Sequence, residues 1–481
     1  MACFTCHAQL CDMNWTIGDH PVTLLNFSSD SVKLDSINSP WGNYFITNAC
    51  ISDEYGNYLY STNGVYIFDR HGDTLLNGTG INPCSYTENY TCCGLNINQA
   101  ALFIPQPGNN RYYYLFHFSN DDANSDRPAT IYYSLIDKQG NNGLGAVIEK
   151  NVPVLHATIL RGGGMTACKH ANGRDYWLIM GASKVDTFYK FLITPNGIEG
   201  PFAQGIGPSF PGAFDNAYSR FSQDGSKFVT GVYEGPILVM DFDRCSGEFS
   251  NPISIYNESC PNAPSCSGSA SVEFSPDNRF VYVSDVIWLT QYDLLAANIQ
   301  DSVQISLDST QYGRLNMLQL APDGKIYLST WDGVLGTDSM HVINNPNGKG
   351  DTCNFKYAYQ PTYTGYAVDM PNLINYRLGV LAGSGCDTIT AVNNVPLIND
   401  NIARIYPNPA HQTINLTYTY NTSPVEFDLI DNIGQAVIKQ ILGNSQNFAQ
   451  FSTATLSNGL YYWQLKDSEH TIKTGKVAVV K

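Results

Sequence analysis

The strings Phe221-Ser-Gln-Asp-Gly-Ser-Lys-Phe-Val229, Phe274-Ser-Pro-Asp-Asn-Arg-Phe-Val-Tyr282 and Leu320-Ala-Pro-Asp-Gly-Lys-Ile-Tyr-Leu328 align residue for residue. Each closes one apolar run, turns at Gly225, Asn278 or Gly324, and enters a strand rich in aromatic and β-branched residues. Gly and Asn accept the positive φ of a tight hairpin turn, so the strings read as hairpins. Outward from them the same grammar recurs. Asp53-Glu-Tyr-Gly56-Asn57 precedes Tyr58-Leu-Tyr60, Gln106-Pro-Gly108-Asn-Asn110 precedes Tyr112-Tyr-Tyr-Leu-Phe116, and Ala171-Asn-Gly173-Arg-Asp175 precedes Tyr176-Trp-Leu-Ile179. The turn residues from Gly56 to Gly324 are separated by 52, 65, 52, 53 and 46 residues. Further strands follow at 131–136, 187–192, 237–242, 289–294 and 340–343. A period near 40–50 residues with several strands per unit is the pattern of a β-propeller. Six units are legible directly. A seventh is expected, with 22–27 pairing with 373–376 to close the ring and remove its open edges. Helix signals are nearly absent, the one short helical turn being expected at 292–298.

Composition supports an all-β chain with a large core. Of 481 residues, 43% are hydrophobic and 12% aromatic, the opposite of a disordered composition. Only 14% are charged, against roughly 25% in ordinary globular proteins. Asn, Ser, Thr and Gly must therefore carry much of the surface hydration. With 26 Lys+Arg against 42 Asp+Glu the formal charge is −16. Nucleic acid is not an expected partner, because a phosphate backbone is bound by clustered cations. No apolar run reaches the roughly 18 residues of a transmembrane helix.

The expected domain plan has four parts. Residues 1–8 read as the remnant of a signal peptide, with Cys6-His7-Ala8 in the small-x-small form of a cleavage site. Residues 9–382 form the propeller. Residues 383–401, rich in Asn, Gly and Thr, are a linker. Beyond it, strands at 414–420, 425–430, 436–441, 447–452, 459–466 and 475–480 follow at sandwich spacing, so 402–481 reads as a small immunoglobulin-like β-sandwich.

That last segment begins Ile405-Tyr-Pro-Asn-Pro-Ala410, continues through Phe427-Asp-Leu-Ile-Asp-Asn-Ile-Gly434 and Leu456-Ser-Asn-Gly-Leu-Tyr-Tyr-Trp463, and closes with Gly475-Lys-Val-Ala-Val-Val-Lys481. In these motifs it resembles the type A C-terminal sorting domain of the type IX secretion system of Bacteroidetes. The resemblance implies export to the medium or to the outer-membrane surface, with the type IX translocon and its sortase-like machinery as partners. The residues that carry it are Tyr406, Pro407, Asn408, Pro409, Gly434, Gly459, Gly475, Lys476 and Lys481. A folded sandwich ending in a basic strand also offers an edge for strand addition. The turn strings at 221–225 and 274–278 resemble, more loosely, WD-repeat-like propellers, without the full Gly-His and Trp-Asp signature.

Thirteen cysteines suit an oxidising compartment. Cys260 and Cys266 bracket a turn-rich loop that a disulfide could close, Cys84 lies near Cys92 and Cys93 as a second staple, and Cys168 reads as a free buried thiol. Asp121, Asp122 and Asp126 offer hard oxygen ligands for Ca²⁺ at close spacing. A solvated acidic loop is the competing reading. Lys169-His170-Ala-Asn-Gly-Arg174-Asp175 gathers a base, a cation and a carboxylate, but it occupies a hairpin turn, where these residues serve the backbone. No nucleophile elbow, phosphate loop or zinc-spaced histidine pair is present, so no catalytic residue is assigned. The expected function is recognition of a glycan or protein partner outside the cell through the propeller mouth. A secreted glycan- or peptide-active enzyme and a structural subunit of an extracellular assembly are the alternatives.

Overall fold

The structure is a computed structural model. It describes all residues except 1–8, 29–30, 121–129, 157–159, 184, 210–216, 233–236, 256–269, 286–287, 306–313, 332–337, 364–369, 388–402, 419–423, 432–433, 444–447 and 467–470. The signal-peptide remnant, the Asp121, Asp122 and Asp126 loop and the Cys260 and Cys266 loop lie outside the described residues. The chain divides into two compact units, Met1–Thr388 and Ile389–Lys481.

The first unit is a β-propeller whose described strands make seven antiparallel sheets. The first sheet is Asn14–Ile17, Val22–Asn26 and Lys33–Ile37, and the second is Ala49–Ser52, Tyr58–Thr62 and Ile67–Phe68. Five four-stranded sheets follow. The third is Ala101–Pro105, Tyr112–His117, Thr130–Asp137 and Ala146–His156, and the fourth is Thr166–Lys169, Tyr176–Gly181, Thr187–Thr194 and Gly197–Gly205. The fifth is Ala217–Phe221, Lys227–Val232, Ile237–Phe242 and Phe249–Ile255. The sixth is Ala270–Phe274, Phe280–Asp285, Trp288–Asp293 and Ser302–Gln304, and the seventh is Arg314–Leu320, Ile326–Trp331, Ser339–Ile343 and Phe355–Pro361. The first strands of neighbouring sheets contact each other from the first sheet to the third and from the fourth to the seventh, which places them innermost.

The hairpin turns explain the repeats. Gly56, Gly108, Gly173, Gly225 and Gly324 all have φ between +71° and +87°, and Asn278, which replaces glycine once, has φ +63°. The residue before the turn locks it. Asn172 Oδ1 accepts from Arg174 N (3.0 Å), Asp224 Oδ1 from Ser226 N (2.9 Å), Asp277 Oδ1 from Arg279 N (3.2 Å) and Asp323 Oδ1 from Lys325 N (3.1 Å). These are Asx turns, which make the Asx-Gly or Asp-Asn pair a local folding signal. Second strands such as Tyr176–Gly181 are buried throughout, whereas fourth strands such as Gly197–Gly205 are mostly exposed.

Two expectations are corrected. Val22–Asn26 does not pair with 373–376; it is the middle strand of the first sheet, between Asn14–Ile17 and Lys33–Ile37. The first sheet meets the seventh by packing instead. Trp15 lies 4.8 Å from Phe27, and both rings lie 5.7 Å from Tyr327 of the seventh sheet. The helical turn expected at 292–298 does not form. Strand Trp288–Asp293 continues to Asp293, whose carboxylate accepts from Leu295 N and turns the chain.

The second unit holds two sheets. One is Ala403–Tyr406, Thr413–Tyr418 and Phe448–Ser452; the other orders Ala436–Leu442, Val425–Ile430, Gly459–Lys466 and Thr471–Val479. Alternating inward residues give its core, including Ile414, Leu416, Phe427, Leu429, Phe451, Trp463 and Val477. Phe427 stacks on Phe451 across the two sheets at 4.5 Å.

Candidate functional site

The mouth of the propeller leads to an axis that the chain itself fills. Residues 370–377 run along it as irregular backbone. At one end Asn372 N donates to Asn48 O, and Asn372 Nδ2 donates to Ala101 O (3.0 Å) and Met165 O (2.9 Å). These carbonyls lie where the innermost strands begin. At the other end Tyr376 O–H donates to Phe103 O (2.8 Å), Asn375 Nδ2 to Gln223 O (2.8 Å) and Lys169 Nζ to Tyr376 O (2.8 Å). Met370, Leu373, Ile374 and Tyr376 join the propeller core.

Around this plug three sheets present polar residues at one repeat position, five residues before the turn residue. These are Arg220, Glu273 and Gln319. Arg220 and Glu273 are both buried and pair at 3.2 Å. Arg220 also donates to Gln319 Oε1 (2.7 Å), Leu318 O (3.2 Å) and Asn372 Oδ1 (3.4 Å). Glu273 accepts from Leu320 N (3.0 Å) and Phe274 N (2.9 Å). Burial pushes the Glu273 carboxyl up, opposed by Arg220 and the two amides. Beside them Asp12 accepts from Arg377 at 2.6 Å, and burial raises Asp12 to about 6 in spite of that guanidinium. The cavity between these groups and the plug measures about 50 Å³. That is room for a few waters. Small-molecule pockets are roughly 300–1,000 Å³.

The plug leaves the axis across the fourth and fifth sheets. Leu381 N donates to Ala171 O, and Arg244 Nη2 donates to Gly379 O (2.7 Å). The segment is then tied covalently by the Cys245–Cys386 disulfide. The expected staple from Cys84 to Cys92 is corrected. Cys92 is bonded to its neighbour Cys93, and Cys84 is a free thiol whose Sγ contacts Asn120 O. Cys168 is a buried free thiol, as its place in a strand implies. The string from Lys169 to Asp175 is spent on structure. His170 contacts Cys245 O, Asn172 closes the turn, and Asp175 pairs with Arg174 at 2.7 Å.

In the second unit the first and last motifs meet. Asn408 Nδ2 donates to Lys476 O (3.1 Å), and its Oδ1 accepts from Ala478 N (3.0 Å). Ala410 N donates to Ala478 O (2.7 Å), and Val480 N donates to Ala410 O (2.9 Å). Thus Tyr406, Pro407, Asn408 and Pro409, all at the surface, lie beside the final strand. Gly475 is required by Trp463, since a Cβ there would come within 2.6 Å of the indole. Lys476 Nζ sits 5.5 Å above the Tyr462 ring, and Lys481 Nζ donates to Ala454 O (2.8 Å). Gly434 takes φ +87° in a turn closed onto Asp431 O, and Gly459 opens a strand with open space at its α-carbon. The edge of the last strand is covered by Ala410 near its end.

Residues 404–480 match the model of the secretion system C-terminal sorting domain. The chain ends in a sorting domain. Its type IX signal directs the protein to secretion or attachment at the cell surface. Among the described residues no helix is long and apolar enough to cross a membrane. No curated protein matches the chain. Among solved structures, a Bacteroides fragilis protein proposed as a 6-phosphogluconolactonase is similar over 75% of this chain and 97% of its own, at 12% identity and TM-score 0.45. The periplasmic gluconolactonase of Pseudomonas aeruginosa aligns over 75% and 99%, at 12% identity and TM-score 0.42. A β-propeller domain from Myceliophteria thermophila aligns over 67% and 93%, at 10% identity and TM-score 0.36.

Proposed function

We propose that the protein is an exported recognition protein that binds glycan on the outer surface of its propeller, away from the ring axis. The observation that carries this reading is the plug. The buried axial charges Arg220 and Glu273 are spent on each other, on Asn372 and Gln319 and on backbone amides, and the cavity beside them is about 50 Å³. A test is to probe the full-length protein on an array of neutral and acidic oligosaccharides. Specific binding supports the reading, and a blank array overturns it.

For export, the joined motifs support a composite signal read by the type IX translocon, with Asn408 holding the Tyr406–Pro409 turn against the final strand. Asn408→Ala is expected to leave the melting of the protein nearly unchanged and to reduce its release to the surface or medium at least tenfold. Normal release of that variant would overturn this part of the reading.

A further inference from the structure

Trp41 lies in the connection between the first and second sheets and is 56% exposed, and its ring sits 6.1 Å from that of Tyr66 at a tilt of 43°. A single exposed aromatic is ordinary. This pair is different in how it is held. One buried side chain, Asn63, fixes the backbone of both residues. Its Nδ2 donates to Trp41 O (3.2 Å) and Asn43 O (3.2 Å), and its Oδ1 accepts from Val65 N (3.1 Å) and Tyr66 N (3.0 Å). The residues next to Trp41 are equally constrained. A Cβ on Gly42 would lie 2.5 Å from Ser39 Oγ, and Ser39 O–H donates to Gly72 O at 2.6 Å. Tyr44 N donates to Gly18 O, and the Tyr44 ring is buried with its hydroxyl 2.6 Å from Ser61.

A third loop closes on the same spot. Leu95 N donates to Asn63 O (2.9 Å), and Gly94, at φ +79°, packs so that a Cβ would meet Asn43 O at 2.7 Å. Immediately before it stands the Cys92–Cys93 disulfide, a covalent ring that further limits the loop. The groups that build this platform are uncharged: amides, hydroxyls, backbone and two aromatic rings.

We propose that Trp41 and Tyr66 form a stacking platform for one pyranose ring of a neutral glycan. This rests on the surface-recognition reading above and names its site. The apolar C–H face of a sugar stacks on an aromatic face, and rigid aromatics lose little conformational freedom when they bind. Asn43, held beside Trp41, is of the residue type that pairs with sugar hydroxyls. A protein partner fits less well, since two rings fall far short of the roughly 800 Å² per partner of a stable protein interface.

The test uses the full-length protein with cello-, xylo-, laminari- and manno-hexaose as soluble probes beside the array, and three variants. Trp41→Ala and Tyr66→Ala are expected to weaken binding of the best probe at least tenfold. Tyr55→Ala, at another exposed aromatic, is expected to leave it within twofold. Wild-type affinity in Trp41→Ala would overturn the platform while leaving glycan recognition intact. Absence of binding by the wild-type protein to every array glycan and probe would overturn both.

Discussion

At the scale of single residues, the turns and the buried polar groups have different legibility. Gly56, Gly108, Gly173, Gly225, Asn278 and Gly324 announce themselves because positive φ leaves few residue choices. They are not equivalent in cost. A Cβ at Gly324 meets nothing within 4 Å, whereas at Gly225 it comes 2.7 Å from Arg244 Cδ and from Cys168 Sγ. Gly324→Ala is expected to cost about 1–2 kcal/mol in urea denaturation, from backbone strain alone. Gly225→Ala should cost about 1–3 kcal/mol more from overpacking. Equal losses would contradict the packing of the fifth sheet's turn. Arg220, Glu273 and Gln319 were missed: they are polar residues at one register of three successive repeats, but periodicity alone does not say that this register faces the axis. His117 shows the effect of burial on a titratable group. Its Nδ1–H donates to Asn82 Oδ1 (2.7 Å), its Nε2 accepts from Ser134 O–H (2.9 Å), and burial lowers its pKa to about 3. A histidine depressed in the folded state contributes stability that is full above about pH 6.5 and is lost as pH falls toward the folded value. Asp12, raised to about 6, acts in the opposite sense, its penalty being relieved as pH falls from 6 toward 4. The comparison of wild type with His117→Gln isolates the histidine. The wild type is expected to lose up to about 1.4 kcal/mol more per pH unit between pH 6 and 4. Parallel pH profiles would contradict a buried neutral imidazole.

At the scale of elements, the second and third strands of the sheets were legible because they are buried and bounded by Asx-Gly turns. The fourth strands were not. Gly197–Gly205 and Phe355–Pro361 are largely exposed, so they carry little hydrophobic pattern and are recruited by pairing. The segment 370–377 misled for the opposite reason. Leu373, Ile374 and Tyr376 look like a strand, yet the segment is held through Asn372, Asn375 and Tyr376 by backbone carbonyls 152 to 273 residues away, in or beside innermost strands, and no local signal encodes that. The Cys245–Cys386 bond was equally hidden, because its two cysteines are 141 residues apart. A cross-link over so long a loop is expected to contribute about 3–5 kcal/mol. Replacing both residues by Ser should lower the thermal midpoint by several degrees. An unchanged midpoint would show that the exit of the plug needs no covalent tie.

At the scale of the whole molecule, the ring was legible from its repeats, and the sorting domain from motifs that are contiguous in sequence; both kinds of signal are local. Ring closure was not local. It depends on Trp15 and Phe27 packing against Tyr327, which lies at the far end of the propeller sequence. Trp15→Ala, at a fully buried position, is expected to cost about 3–5 kcal/mol. Loss of less than about 1 kcal/mol would mean that the first and seventh sheets are held by other contacts. The central claim is that the chain's own segment seals the axis and leaves the outer surface for recognition. Amide hydrogen exchange over 370–377 in the full-length protein tests it most directly. The account predicts protection there comparable to that of the innermost strands, such as Ala101–Pro105. Exchange within seconds, at the rate of an unstructured peptide, would contradict it and reopen the axis as a binding site.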